Sequence, residues 1–179
     1  MRPALLSFAI ILLSSTHLTF AQQAPLPDEW LGTWEGTMTN QRVGANGTPI
    51  PVRMHIERLD NSAYVWRTVY NNDEERGLRD YRMIPVAGEP GQFINDEQNG
   101  ILLRTQHIGG ELRSAFEVGT QSLTSVYRLD GDTLTHEVTF WNSQEYETTT
   151  GTGIAGENGE PVYSYVIGGV QKSVMQRVR

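Results

Sequence analysis

Turn dipeptides cut the second half of this chain into short pieces. Gly109-Gly110, Gly119-Thr120-Gln121 and Asp130-Gly131 recur at a spacing of about ten residues, which suits hairpins. Asp-Gly is favoured at the two centre positions of a type I′ turn, which carries a strand straight back beside itself. Where a segment is half-buried its residues alternate: Val52, Met54 and Ile56 are apolar, and Arg53, His55 and Glu57 between them are polar or charged. Outside the N-terminus, no long window repeats apolar residues with the period of a helix. The chain is therefore expected to be all-β, a single domain of roughly ten short antiparallel strands.

Ten hairpin-linked strands can close into an up-and-down barrel or stack as a β-sandwich. The short connections after residue 96 favour the meander of a barrel. So do hydroxyls on otherwise apolar faces: Ser114 between Leu112 and Phe116, Ser125 between Leu123 and Tyr127, and Thr105 after Leu103. A sandwich core would fill those positions with hydrocarbon, whereas a barrel with an internal cavity can hydrate them or turn them on a ligand. Residues 71–80 are densely charged and read as a solvated connection. Residues 133–141 and 145–150 read as two strands, as do 162–167 and 170–178, with a glycine-rich loop at 151–159 between the pairs.

The first 21 residues read as a signal peptide: Arg2, an apolar run over residues 4–13, and the small-residue end at Ala21. That run is too short to cross a bilayer, which takes about 20 residues. Residues 22–29 form a proline-containing lead-in, and the domain occupies 30–179. The mature chain is thus expected to be periplasmic or secreted, with no membrane span. It contains no cysteine, which removes disulfides, thiol catalysis and zinc–cysteine sites. A net charge of −7 with scattered basic residues argues against nucleic acid as a partner.

Gly32-Thr33-Trp34, in the first strand of an exported chain of this length, resembles the Gly-x-Trp signature of the calycin superfamily, which comprises lipocalins, fatty-acid-binding proteins and avidins. The resemblance implies that Trp34 closes the bottom of the barrel and that an arginine of the last strand packs across its indole; Arg177 and Arg179 stand at the right end, and Arg177 is favoured because Met175 shares its face. It also implies a small hydrophobic ligand held inside. Trp34-Glu35-Gly36 is similar to the first strand of the haem-binding nitrobindins as well. The proximal histidine of that family lies near the C-terminus, and this chain has no histidine after His136, so no haem or other cofactor is expected.

Residues sharing an inward parity give the candidate ligand contacts: Trp66, Thr105, His107, Ser114, Tyr127, His136 and Phe140. The bland reading of each is ordinary barrel core. His107 and His136 are also candidate acid/base residues for a barrel enzyme of the isomerase, cyclase or lyase kind, if they meet each other or a carboxylate in one pocket. A third reading is an envelope interaction or inhibitor module, which a large apolar patch on one rim would favour. No spacing of metal ligands, no nucleophile elbow and no phosphate loop is present. The charged pattern Arg53-His55-Glu57 excludes the lipid-facing stripe of an outer-membrane barrel.

Overall fold

The computed structural model describes residues 26–59, 63–150 and 161–179; the expected signal peptide and the expected glycine-rich loop at 151–159 lie outside the described residues. A 3₁₀ turn, Asp28–Trp30, leads into β1 (Gly32–Arg42). There follow β2 (Ala45–Asn46), β3 (Ile50–Arg58), β4 (Tyr64–Tyr70), β5 (Leu78–Pro85), β6 (Gln92–Asp96), β7 (Leu102–Ile108), β8 (Glu111–Val118), β9 (Gln121–Asp130), β10 (Thr133–Thr150) and β11 (Pro161–Arg177). Apart from the two-residue β2, each strand pairs with its neighbours in sequence, and β11 pairs back onto β1. The result is a closed ten-strand, antiparallel, up-and-down barrel. Closure runs over an antiparallel ladder from Trp34↔Arg177 to Gln41↔Val170.

Closure needs one glycine. A Cβ on Gly36 would stand 1.9 Å from the Val174 carbonyl oxygen, so β1 and β11 approach too closely there for any side chain. The core is the inner face of alternate residues, with Trp34, Met54, Ile56, Trp66, Met83, Leu112, Leu134 and Met175 almost wholly enclosed. Val65 and Val69 are buried on the outer face of β4. Arg53 on β3 stands opposite Val69 and Arg82 on β5 opposite Val65, and with Arg67 of β4 itself they form the ion pairs Arg53–Glu74, Arg67–Asp80 and Arg82–Asp80, whose stems shield the valines. Elsewhere the outer wall is charged too, as in Glu111 between Arg113 and Arg128.

Two expectations are corrected. β10 and β11 are each one long strand, because the expected break at residues 142–144 is absorbed by register shifts on either side of Trp141. On β11, Gly168 and Gly169 lie against the Phe140 ring, so the glycines accommodate an aromatic and do not end the strand. β5 also begins earlier than the charge pattern indicates, at Leu78, because Leu78, Arg79 and Asp80 pair with Val69, Thr68 and Arg67.

One end of the barrel is plugged. Leu26, Trp30 and Trp34 are buried, and the Trp34 indole N–H donates to the Trp30 carbonyl at 3.2 Å. The lead-in reaches β3, β4, β7 and β11: Leu26 N–H donates to the Tyr64 hydroxyl, Asp28 pairs with Arg58, Trp30 meets Trp66 and His107, and the Glu29 carbonyl accepts from Arg177. A segment that bridges well-separated strands of a closed barrel must cross its end. The Arg177 guanidinium stacks over Trp34 at 4.0 Å from the ring centroid, donates to the carbonyls of Leu31 and Glu29, and pairs with Asp132 in the β9–β10 turn.

Candidate functional site

Above the plug lies a pocket of about 530 Å³. Every barrel strand contributes to its lining, from Met38 on β1 and Ile50 on β3 round to Gln171 on β11. Only the interior of a closed barrel can be lined that way. Charged lining residues are confined to one end: Asp73 and Arg76 on the β4–β5 connection, Arg79 at the start of β5, and Glu97 after β6. Strand direction puts these on the opposite end from Trp34, so the mouth faces away from the plug.

Four of the sequence candidates meet in this pocket: Thr105, Ser114, Tyr127 and His136. Thr105 Oγ1 and Ser114 Oγ share a hydrogen bond of 2.8 Å, and Ser125 Oγ bonds His136 Nε2 at 3.0 Å. The His136 ring stacks flat on Tyr127, with centroids 3.8 Å apart. The other three lie outside the lining. Trp66 is one layer down, edge-on to Tyr127 and against Trp30, too deep to reach the pocket. His107 is at the plugged end beside Trp30, because inward parity fixes a side but not a height. Phe140 packs on Gly168 and Gly169 with Arg42 over its ring.

The pocket also gathers residues absent from that set: Tyr70, Tyr81 and Asn95 among the polar ones, Met83, Leu103, Phe116 and Val138 among the apolar. Tyr70 and Tyr81 share inward parity with Trp66 and Met83, and periodicity along their strands marks them as inner-face aromatics of a possible pocket. Asn95 carries no such signal, since its strand is short and its neighbours Ile94 and Phe93 are apolar in succession. Two buried polar atoms have no hydrogen-bond partner among the described residues, Asn95 Oδ1 and Trp66 Nε1. The Trp66 indole N–H nevertheless lies close enough to the Tyr127 phenol to act on it electrostatically, short of hydrogen-bond geometry.

Burial decides the protonation states. The Tyr127 phenol is held far above its ordinary range by burial first and then by Tyr70 and Tyr81. Tyr81 is pushed up to about 12 by burial and by the Glu97 carboxylate, and burial raises Tyr70. All three are hydroxyl donors at neutral pH. His136 is pushed down to about 4 by burial, with no carboxylate to support its cation. Ser125 and His136 are at the distance of a nucleophile and its base, but a neutral, weakly basic imidazole without an acidic partner suits hydrogen bonding better than proton abstraction. His107 and His136 do not share a pocket, so the two-histidine arrangement for an enzyme is not formed.

The depressed His136 pKa predicts an acid-sensitive fold. Between about pH 6.5 and 4 the unfolded chain binds a proton that the folded chain refuses, so stability should fall as pH drops through that window. The loss is on the order of 3 kcal/mol for a shift of this size. His136→Gln should remove that part of the slope, read as urea midpoints at about pH 7 and about pH 4.5. Equal slopes in the two proteins would show that His136 is not the group responsible.

No family model and no curated protein matches this chain. Among solved structures it is similar to a protein of unknown function from the DUF3598 family of Nostoc punctiforme PCC 73102. The two share 12% identity at a TM-score of 0.57, over 88% of this chain and 51% of that one. The likeness is one of fold. This chain spans about half the length of its structural neighbour.

Proposed function

We propose that this chain is an exported, calycin-like barrel that binds one small, largely apolar molecule inside. The observation that carries the reading is the pocket lined by all ten barrel strands, plugged at one end and open at the other. Its size falls in the usual range for small-molecule sites, and its wall divides about evenly between apolar surface and polar groups, so that Met38, Ile50, Met83, Leu103, Phe116 and Val138 can hold an apolar body while the polar groups orient it. Gly32 and Trp34 on β1 with Arg177 across the indole support placing the fold among the calycins. Thr105, Ser114, Tyr127 and His136, joined by Tyr70 and Tyr81, would orient the ligand by hydrogen bonds.

Native mass spectrometry of protein purified from its own host tests this directly. A retained small molecule is expected, and Ser114→Trp, which puts an indole into the pocket, should release it with the circular dichroism unchanged. A molecule that stays bound to the filled variant would sink the reading.

A second reading, action through the rim, rests on a separate observation. Beyond Asn142, β10 pairs only with β11, and the resulting two-stranded arm exposes Tyr146, Val162, Tyr163, Tyr165, Val166 and Ile167. Exposed apolar patches of this kind mark interaction surfaces. Serine at Tyr146, Tyr163 and Tyr165 together should leave interior binding intact and abolish any self-association seen by sedimentation. Loss of interior binding in that variant would instead make the arm part of the pocket's function.

A further inference from the structure

Most cations among the described residues stand in ion pairs. Among the described residues, every arginine but Arg42, Arg76 and Arg79 stands in an ion pair with a carboxylate, and Lys172 pairs with Glu137. All three exceptions lie at the open end of the barrel, in a chain whose net charge of −7 leaves no shortage of carboxylates. Arg42 is accounted for by the Phe140 ring beneath it. Arg76 and Arg79 line the pocket mouth.

Arg79 is also held in place. Its Nη1 donates to the carbonyls of Arg76 at 3.1 Å and Leu78 at 2.8 Å, while Nε and Nη2 have no partner among the described residues. The guanidinium acts electrostatically on both the Tyr70 and the Tyr81 phenols, so a charge and two hydroxyl donors gather at one side of the mouth. Two carboxylates share the rim. Asp73 is engaged by the N–H groups of Glu75 and Arg76, and Glu97 lies beside Tyr81. Among the described residues the pocket lining deeper than these has no charged side chain, so an ionised group carried inside would be buried without a partner there, at a cost of several kcal/mol.

We infer that the ligand is an amphipathic monoanion: an apolar body enclosed by the barrel and an anionic group at the mouth, received by Arg79 with Arg76 beside it and the Tyr70 and Tyr81 hydroxyls as neutral donors. This rests on interior binding and adds its polarity and orientation. An oxyanion bonded to a fixed guanidinium and a phenol gains charge-assisted hydrogen bonds that a neutral or cationic analogue cannot form. A cationic ligand would have to enter past Arg79.

Two dyes of one skeleton separate the terms. 1-Anilinonaphthalene-8-sulfonate carries a sulfonate, and N-phenyl-1-naphthylamine is the same frame without it; both fluoresce on entering an apolar site. The sulfonate is expected to bind more tightly than the neutral dye. Arg79→Met should weaken the sulfonate about tenfold or more and leave the neutral dye unchanged. Glu97→Gln, which removes a like charge from the rim, should tighten the sulfonate alone. If the neutral dye binds as well as the sulfonate and Arg79→Met changes neither, the anion site is overturned while interior binding stands. If neither dye is excluded by Ser114→Trp, the dyes are not in the barrel and interior binding itself falls.

Discussion

Trp34→Ala should cost about 3–5 kcal/mol, the usual penalty for deleting a large aromatic from a closed core. Trp34 has no solvent exposure, and the cost has several parts. The indole helps to fill the plugged end of the barrel beside Trp30, its N–H satisfies the Trp30 carbonyl, and its face supports the Arg177 guanidinium. Removing it leaves a cavity, an orphaned carbonyl and a partly buried cation that has lost its platform. The cation–π part alone is about 0.5–2 kcal/mol, so Arg177→Met should cost less than Trp34→Ala, though its bonds to Leu31, Glu29 and Asp132 also go. Denaturant unfolding with an unchanged slope would measure both. Because the pocket opens at the opposite end, the folded fraction of Trp34→Ala should bind ligand as before. A fully stable Trp34→Ala protein that has lost only binding would mean that the plug and the mouth have been assigned to the wrong ends.

Gly36→Ala is the second large effect, and it works through closure. One added methyl would stand 1.9 Å from the Val174 carbonyl oxygen and 2.8 Å from the Met175 Cα, both backbone atoms that no rotamer change can move. The strands must part, and with them the ladder from Trp34↔Arg177 to Gln41↔Val170 that joins the two ends of the sheet. Overpacking commonly costs about 1–3 kcal/mol, and this site belongs at or beyond the top of that range because nothing soft is available to yield. Thermal unfolding should show the loss. An alanine variant within about 1 kcal/mol of the parent would show that β1 and β11 are not in this register.

Much of this was legible beforehand for a local reason. Alternation along a strand and turn residues between strands are short-range properties, so strand number, the all-β class and the inward parity of Thr105, Ser114, Tyr127 and His136 could be read along the chain. Height inside the barrel could not. His107 and His136 share the inward parity, yet one sits by Trp30 at the plug and the other by Tyr127 in the pocket, because strand tilt and stagger set depth only when the sheet closes. Trp66 and Phe140 miss the pocket on the same ground. Gly168-Gly169 falls where the sequence divides β11, and the Phe140 ring lying against it goes with one continuous strand, while β10 runs on through the register shifts on either side of Trp141.

By itself, then, the chain determined a hairpin meander with one apolar face per strand, and the partnership of Trp34 with Arg177 was what its resemblance to the calycins implied. Tertiary structure alone decided that β11 meets β1 at Gly36, that the lead-in crosses one end, and that the other end keeps Arg76 and Arg79 outside the ion pairs among the described residues, although Asp73 and Glu97 share that rim. Pairing across 140 or so residues, and the accumulation of unpaired charge at one rim, are properties of a closed surface, and no window of sequence contains them.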